Sequence, residues 1–363
     1  MVYGDKVTLE YYLPQEVKEM GIISIAYVVQ GYRSIQLSES REIGYGGSGD
    51  CQVNVNCPAG NNWQMEKNAV ALILVGGIRW CTGSLINTTA NDARPYLLTA
   101  NHCLNHSIHQ QDSLLNEWSF YWHYESPGCA NTFEPLIVST SGAVIIAHDF
   151  AADFALIRLT EDPKNNPDIT PYYLGWDRTG NPGTGGIGIH HPRGDIKKIS
   201  TYTMTPQSTE YGRDTTCPHC SYWRLAWTSG TTEQGSSGSP LINNNHHVIG
   251  MLSGGHDCEL RISWYGKISA AWETYFINNP SKRRLREYLD PLNTGVSILD
   301  GCAYAVTFNN QTITSGTDVI SCGNITSQNV TVQNGAKLTL DATTETVIEK
   351  NFEVQLGSEL EIK

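Results

Sequence analysis

Three short strings, met in the order histidine, aspartate, serine, carry residue types that could do nucleophilic chemistry together. They are Leu98-Thr99-Ala100-Asn101-His102-Cys103, Asp153-Phe154-Ala155-Leu156-Ile157-Arg158-Leu159 and Gly235-Ser236-Ser237-Gly238-Ser239-Pro240. A serine hydroxyl is a weak nucleophile at neutral pH and needs an imidazole within hydrogen-bond reach to take its proton as a carbonyl is attacked. His102 fits that role. The imidazole must present one tautomer and tolerate becoming a cation, which a shielded carboxylate on its far nitrogen provides. Asp153 fits, because the apolar residues that follow it read as a buried strand. The glycines at 235 and 238 let the chain bend sharply around Ser237. Such a bend turns the backbone N–H groups of Gly235 and Ser237 toward one point, an oxyanion hole.

Each string alone has an ordinary structural explanation. A histidine beside a cysteine is commonly a packed structural residue, an aspartate before an apolar run enters a strand, and Gly-Ser-Ser-Gly is a loop. Their conjunction, each in a fitting local context, points to acyl transfer.

The elements that must hold these residues are β-strands. Among 363 residues, 40% are hydrophobic and 34 are glycine, and long amphipathic stretches are few. That texture predicts an all-β body with many turns and a large core, in more than one domain. A net charge of −12 argues against nucleic acid or an anionic membrane surface as the main partner. Ten cysteines, an even number, suggest an oxidising compartment and leave many connectivities open. Cys217-Pro218-His219-Cys220 has the spacing of a small disulfide, a redox pair or half a zinc site. No second Cys-x-x-Cys and no thioredoxin-like βαβ pattern accompanies it, so a structural disulfide is the favoured expectation. No His-Glu-x-x-His or calcium-loop pattern occurs, and no metal or other cofactor is expected.

Longer strings surround the three. They include Gly49-Asp50-Cys51, Asn56-Cys57-Pro58, Cys81-Thr82-Gly83-Ser84-Leu85, Asn87-Thr88-Thr89-Ala90-Asn91-Asp92, Gly175-Trp176-Asp177-Arg178, Ile189-His190-His191-Pro192, Tyr288-Leu289-Asp290-Pro291, Thr294-Gly295 and Asp300-Gly301. With them the chain resembles the chymotrypsin-like serine proteases, and within these the bacterial lysyl endopeptidase branch, over about 255 residues from near Gly46 to Gly301. The resemblance implies a double β-barrel with the active site in the cleft between the barrels. It also implies peptide-bond hydrolysis through an acyl-enzyme, on protein or peptide substrates, by a secreted or cell-surface bacterial protein expected to be a monomer.

The same resemblance implies disulfides Cys81–Cys103, Cys51–Cys258 and Cys57–Cys129. It leaves Cys217, Cys220, Cys302 and Cys322, expected to pair as Cys217–Cys220 and Cys302–Cys322. The primary specificity pocket departs from its relatives. Thr231 stands where trypsin-like enzymes place an aspartate, six residues before the nucleophile. Ser263 stands where lysyl endopeptidases place theirs, and Ser253 replaces their pocket histidine ahead of Gly254-Gly255. A buried lysine ammonium needs a paired carboxylate. Asp257 and Glu259, flanking Cys258, are the acids that could supply one. Otherwise the hydroxyls of Thr231, Ser253 and Ser263 suit a neutral, small or even acidic side chain, although Leu252 occupies the position of the histidine usual in glutamyl endopeptidases.

Three regions are therefore expected: 1–45, 46–301 and 302–363. The first lacks the charged start, apolar run and cleavage site of a signal peptide, so a longer parent chain is expected. Its segments 6–12 and 22–29 read as strands. They are similar to the end of the pro-region of secreted relatives, in which case the mature enzyme begins near Gly46; a permanent β extension is the alternative. Beyond Cys302, residues 330–340 repeat at an offset of 22 in residues 352–362, with a fainter copy at 313–319. Glycine at the turns and alternating apolar residues suit a small stacked, solenoid-like β domain, serving surface display or stability alone. A catalytically latent binding or display module that keeps the protease fold is the competing function.

Overall fold

The strand Val70–Val75 is apolar at all six positions because it is covered on both faces. Ala71 and Ile73 join the main core, while Leu72 and Leu74 pack with Tyr124 and Ile196 in a second cluster. A strand sandwiched in this way loses the apolar–polar alternation of a one-sided sheet. The computed structural model describes residues 44–76, 78–106, 115–217, 219–273 and 280–363. The two strands expected within residues 1–45 lie outside the described residues.

Val70–Val75 belongs to a seven-stranded antiparallel sheet in the order Val138–Ser141, Trp118–Trp122, Val70–Val75, Ile78–Leu85, Tyr96–Ala100, Phe154–Leu159, Ala143–Asp149. A second, ten-stranded sheet runs Val53–Asn54, Lys198–Tyr202, Gly186–His190, Pro240–Asn243, His247–Gly255, Ile262–Lys267, Tyr222–Ala226, Gln207–Thr209, with two further strands paired off this path. The α-helices among the described residues, Ile268–Trp272 and Arg286–Leu289, have five and four residues. The body is nearly all β, in the two antiparallel-dominated sheets, as the sequence implied.

Register brings the ends of these strands to the chemistry. In the first sheet Ala100 lies opposite Phe154, so the residues just after one strand and just before the other share one edge. The Asn101 N–H donates to the Asp153 carbonyl at 2.9 Å and closes that edge. In the second sheet Gly188 faces Ser200 and His190 faces Lys198.

Residues 305–362 form two parallel sheets, Ala305–Ile313 with Asn324–Val332 and then Glu345–Ile348 and Phe352–Val354, and Thr317–Ser321 with Lys337–Ala342 and Glu359–Ile362. The repeat read in the sequence is the pairing register: Val330 faces Phe352 and Leu338 faces Leu360. Ile313, Ile325, Val330, Val332, Leu338 and Leu340 are buried together. Asn310, Asn329 and Asn351 stack at the corners with φ of 58, 53 and 58°. Their amides form a ladder, Asn351 to Asn329 and Asn329 to Asn310, each at 2.9 Å. Asparagine suits this place because it enters the left-handed region at lower cost than other side chains with a Cβ.

Charge is also buried inside the body. The Lys197 ammonium is fully enclosed, 2.8 Å from the Lys67 carbonyl and 3.0 Å from Glu125, which also binds Lys67 at 2.8 Å. Burial alone would raise the Glu125 carboxyl, but the ammonium groups of Lys197 and Lys67 outweigh it and hold it down at about 2. Burial, reinforced by Lys197, pushes His123 down to about 4, and its Nε2 accepts from the Thr170 N–H at 3.1 Å.

Two outcomes follow for stability. Replacing Asn329 by Ala removes two ladder bonds and leaves a Cβ in the left-handed region, costing about 2–3 kcal/mol in denaturant unfolding, whereas Asn329→Gly recovers part of this by relieving the backbone. His123 is neutral in the fold and ionises once unfolded, so its contribution is complete above about pH 6.5 and shrinks as pH falls toward 4; that of Glu125 is lost between about 4.5 and 2. The thermal midpoint should therefore fall on acidification from pH 7, with a shallower fall from 7 to 4 in His123→Asn.

Candidate active site

Residues 233–238 make the tight turn that enters the strand Pro240–Asn243. Gly235 has a φ of +90°, and a Cβ there would come within 2.9 Å of the His191 carbonyl and 3.0 Å of the Gly194 N–H. Only glycine combines that backbone with that approach. Gly238 serves the other side of the turn. A Cβ on it would lie 2.1 Å from Thr99 Oγ1 and 2.4 Å from the Thr82 carbonyl, so its absence lets the turn sit against the first sheet.

Thr82 stitches this contact. Its N–H donates to the Ser237 carbonyl at 2.8 Å and its hydroxyl to the Gly235 carbonyl at 2.9 Å. Both carbonyls are thereby held by the first sheet. Among the described residues the N–H groups of Gly235 and Ser237 make no hydrogen bond. Cys103 Sγ lies 3.9 Å from the Ser237 carbonyl, which puts the histidine-bearing turn beside the serine loop.

His102 and Asp153 are joined twice. The His102 N–H donates to Asp153 Oδ1 at 2.9 Å, and the ring Nδ1 lies 2.8 Å from Oδ2. The imidazole is 37% exposed and the carboxylate 12%, so one is reachable and the other shielded. Asp153 holds a φ of 49°, uncommon for an aspartate, at the strand entry that aims its carboxylate across the edge.

The proposed pocket residues separate into two groups. Thr231 and Ser263 are fully buried. The Thr231 hydroxyl donates to the His256 carbonyl at 2.9 Å. Ser263 Oγ accepts from the Trp227 indole at 2.9 Å and lies 2.8 Å from the Thr232 hydroxyl. Gly255 packs on this pair: a Cβ there would fall 2.5 Å from both oxygens. Ser253 sits at a bulge in His247–Gly255, and the Tyr211 hydroxyl closes over Gly254. Asp257 and Glu259 are both exposed, in the turn around Cys258, where Asp257 Oδ1 accepts from the Glu259 N–H at 3.2 Å. Trp227, Thr232 and Tyr211 escaped the sequence reading, since nothing local marks them as pocket residues.

Ten cysteines come together as Cys51–Cys258, Cys57–Cys129, Cys81–Cys103, Cys217–Cys220 and Cys302–Cys322. The first ties the segment after Gly46 to the pocket turn. That segment also reaches the serine loop through Glu233, whose carboxylate accepts from the Gly49 N–H at 2.8 Å, Gln52 at 3.0 Å and Arg193 at 3.0 Å. Asp195, fully buried, accepts from the Gly46 N–H at 2.7 Å, the Ser48 hydroxyl at 2.5 Å and the Ile196 N–H at 2.7 Å, and pairs with Lys198 at 3.4 Å. Among the described residues no helix is long and apolar enough to cross a membrane.

Known proteins share this arrangement of sequence. A lysyl endopeptidase of Pseudomonas aeruginosa is 29% identical over 274 residues, covering 70% of this chain and 56% of that protein. The chain thus spans little more than half the length of that relative. Among solved structures, the serine endoprotease of Yersinia pestis matches at 15% identity and a TM-score of 0.38, covering 57% of this chain and 61% of that one. An inactive mutant form of a protein from Mycobacterium tuberculosis matches at 16% and 0.37, covering 57% and 85%. The sequence family described as the lysyl endopeptidase C-terminal domain matches residues 45–263, and the chain belongs to that family.

Proposed function

We propose that the chain is a secreted bacterial serine endopeptidase whose residues 46–301 carry the chemistry and whose residues 302–363 form a β appendage. Ser237 attacks the scissile carbonyl, and His102 takes the proton and returns it to the leaving amine. Asp153 fixes the imidazole tautomer and stabilises the imidazolium. The N–H groups of Gly235 and Ser237 receive the oxyanion. The observation that carries this reading is the half-exposed His102 ring, bonded to a shielded carboxylate and set beside a serine turn with two unpaired N–H groups. Membership of the family adds support.

The residue preference departs from lysine. Hydroxyls, an indole and backbone carbonyls meet around Thr231 and Ser263, and among the described residues no carboxylate is bonded to either. An ammonium brought there would shed water without gaining an opposite charge, which costs several kcal/mol. A small neutral side chain meets no such penalty.

A fluorophosphonate probe should label the protein at Ser237, with no labelling of Ser237→Ala, and turnover of Asp153→Asn should fall by about 10⁴-fold. Labelling that persists in Ser237→Ala would remove the serine assignment. Peptide-library digestion read by mass spectrometry, with Ser237→Ala as the blank, should give cleavage after small neutral residues. Cleavage confined to bonds after lysine would overturn the neutral pocket and bring Asp257 or Glu259 into it. No cleavage above the blank would favour the latent binding module.

A further inference from the structure

His190 is fully buried, outside the proposed triad, and bonded at both ring nitrogens: Nδ1 lies 2.8 Å from Ser236 Oγ and Nε2 3.0 Å from Ser200 Oγ. The direction of each bond can be deduced. Ser200 Oγ gives its proton to the Thr231 carbonyl at 3.0 Å, so Nε2 must be the donor to Ser200. A neutral imidazole carries one N–H, so Nδ1 accepts, and Ser236 donates to it. Ser236 Oγ in turn accepts from the Glu233 N–H at 3.2 Å. The run of donors is unbroken from Glu233 through Ser236, His190 and Ser200 to Thr231.

Both ends of this run matter to the reaction. Ser236 precedes the nucleophile, and its own N–H closes the turn onto the Glu233 carbonyl at 3.0 Å. Thr231 lines the pocket. Resting on the proposed function, we infer that His190 is a positioning residue. Held neutral with its proton on Nε2, it locks Ser236 so that the N–H groups of Gly235 and Ser237 keep the geometry the oxyanion needs.

The surroundings favour the neutral ring. Burial pushes His190 down to about 3, and the Lys198 ammonium adds to this. Lys198 faces it in the sheet, with its charge spent on Asp195 and Asn54. His191 is buried beside it, and burial, then Lys197, keeps that ring neutral also. A positive charge on His190 would make Nδ1 a donor and force the Ser236 hydroxyl to turn its proton away from the ring.

The test uses the full chain and three variants. Asn places an acceptor near the Nδ1 position, Gln a donor near the Nε2 position, and Ser236→Ala removes the serine end. His190→Gln and Ser236→Ala should lower kcat by about 10- to 100-fold, with KM within about threefold, while His190→Asn stays within about fivefold of the parent. An unchanged kcat in folded His190→Gln and Ser236→Ala overturns the inference, and so does a rise in KM with kcat intact. Because a buried histidine variant can fail to fold, ¹⁵N NMR of the parent protein provides a second measurement. The His190 ring should read neutral with Nδ1 unprotonated from pH 8 to pH 5, and a charged ring or an Nδ1–H tautomer in that range overturns the inference. The two readings fail separately, since turnover that survives Ser237→Ala sinks the endopeptidase mechanism while the NMR spectrum still decides the tautomer.

Discussion

Two backbone N–H groups at one bend, those of Gly235 and Ser237, make no hydrogen bond among the described residues, and the contacts around that bend hold its shape. A folded chain normally pairs such groups, because an unpaired donor away from water costs about 1–3 kcal/mol. Left alone, residues 233–238 would relax by a small rotation and find acceptors. Carbonyls on the same turn are instead bound from the first sheet by Thr82, glycines at 235 and 238 admit neighbouring backbone, and the side chains of Glu233 and Ser236 are anchored on opposite sides.

The anchors differ in electrical character. Glu233 and Asp195 are carboxylates, satisfied by main-chain N–H groups, a hydroxyl, an amide and the cations Arg193 and Lys198. They tie the segment after Gly46 to the loop from the side that the Cys51–Cys258 bond also secures. His190 and Ser236 are uncharged and lie in the interior, where a neutral network needs no counter-ion. Ion-paired contacts through Glu233 and neutral ones through Ser236 thus hold the same loop.

What the sequence made legible was local. His102, Asp153 and Ser237 stand in strings whose neighbours imply a strand end, a strand start and a turn, so the elements that hold them could be read with the residues. The 22-residue repeat was equally plain, since in a parallel stack the repeat length is the register. The anchors were not legible, because they link residues remote in sequence. His190 lies 46 positions from Ser236, and Ser48 lies 147 from Asp195. His190-His191-Pro192 stood out only as a string shared with relatives, and nothing in it tells which imidazole is bonded at both nitrogens. The proposed pocket was half legible: the hydroxyls of Thr231 and Ser263 were expected, but the tie from Ser263 to Trp227 and Thr232 depends on how a strand meets two loop residues remote from it in sequence. Lys197 illustrates the same limit, since a lysine in Ile196-Lys197-Lys198 gives no hint of being fully enclosed.

The stack of residues 305–362 has a mechanical consequence. Its coils are joined by hydrogen bonds that run along the stacking direction, and its corners by single amide bonds between Asn310, Asn329 and Asn351. A pull on the coil that holds Glu359–Ile362 therefore loads that coil first. When that coil lifts, the next presents much the same edge, so resistance repeats and does not accumulate. The stack is tied to the body at Thr343, which donates to the Asn91 carbonyl at 2.7 Å, and at Cys322, whose sulfur is bonded to Cys302 in the strand that pairs with Tyr172–Tyr173. Tension along the stack would be met coil by coil, as a series of small yields.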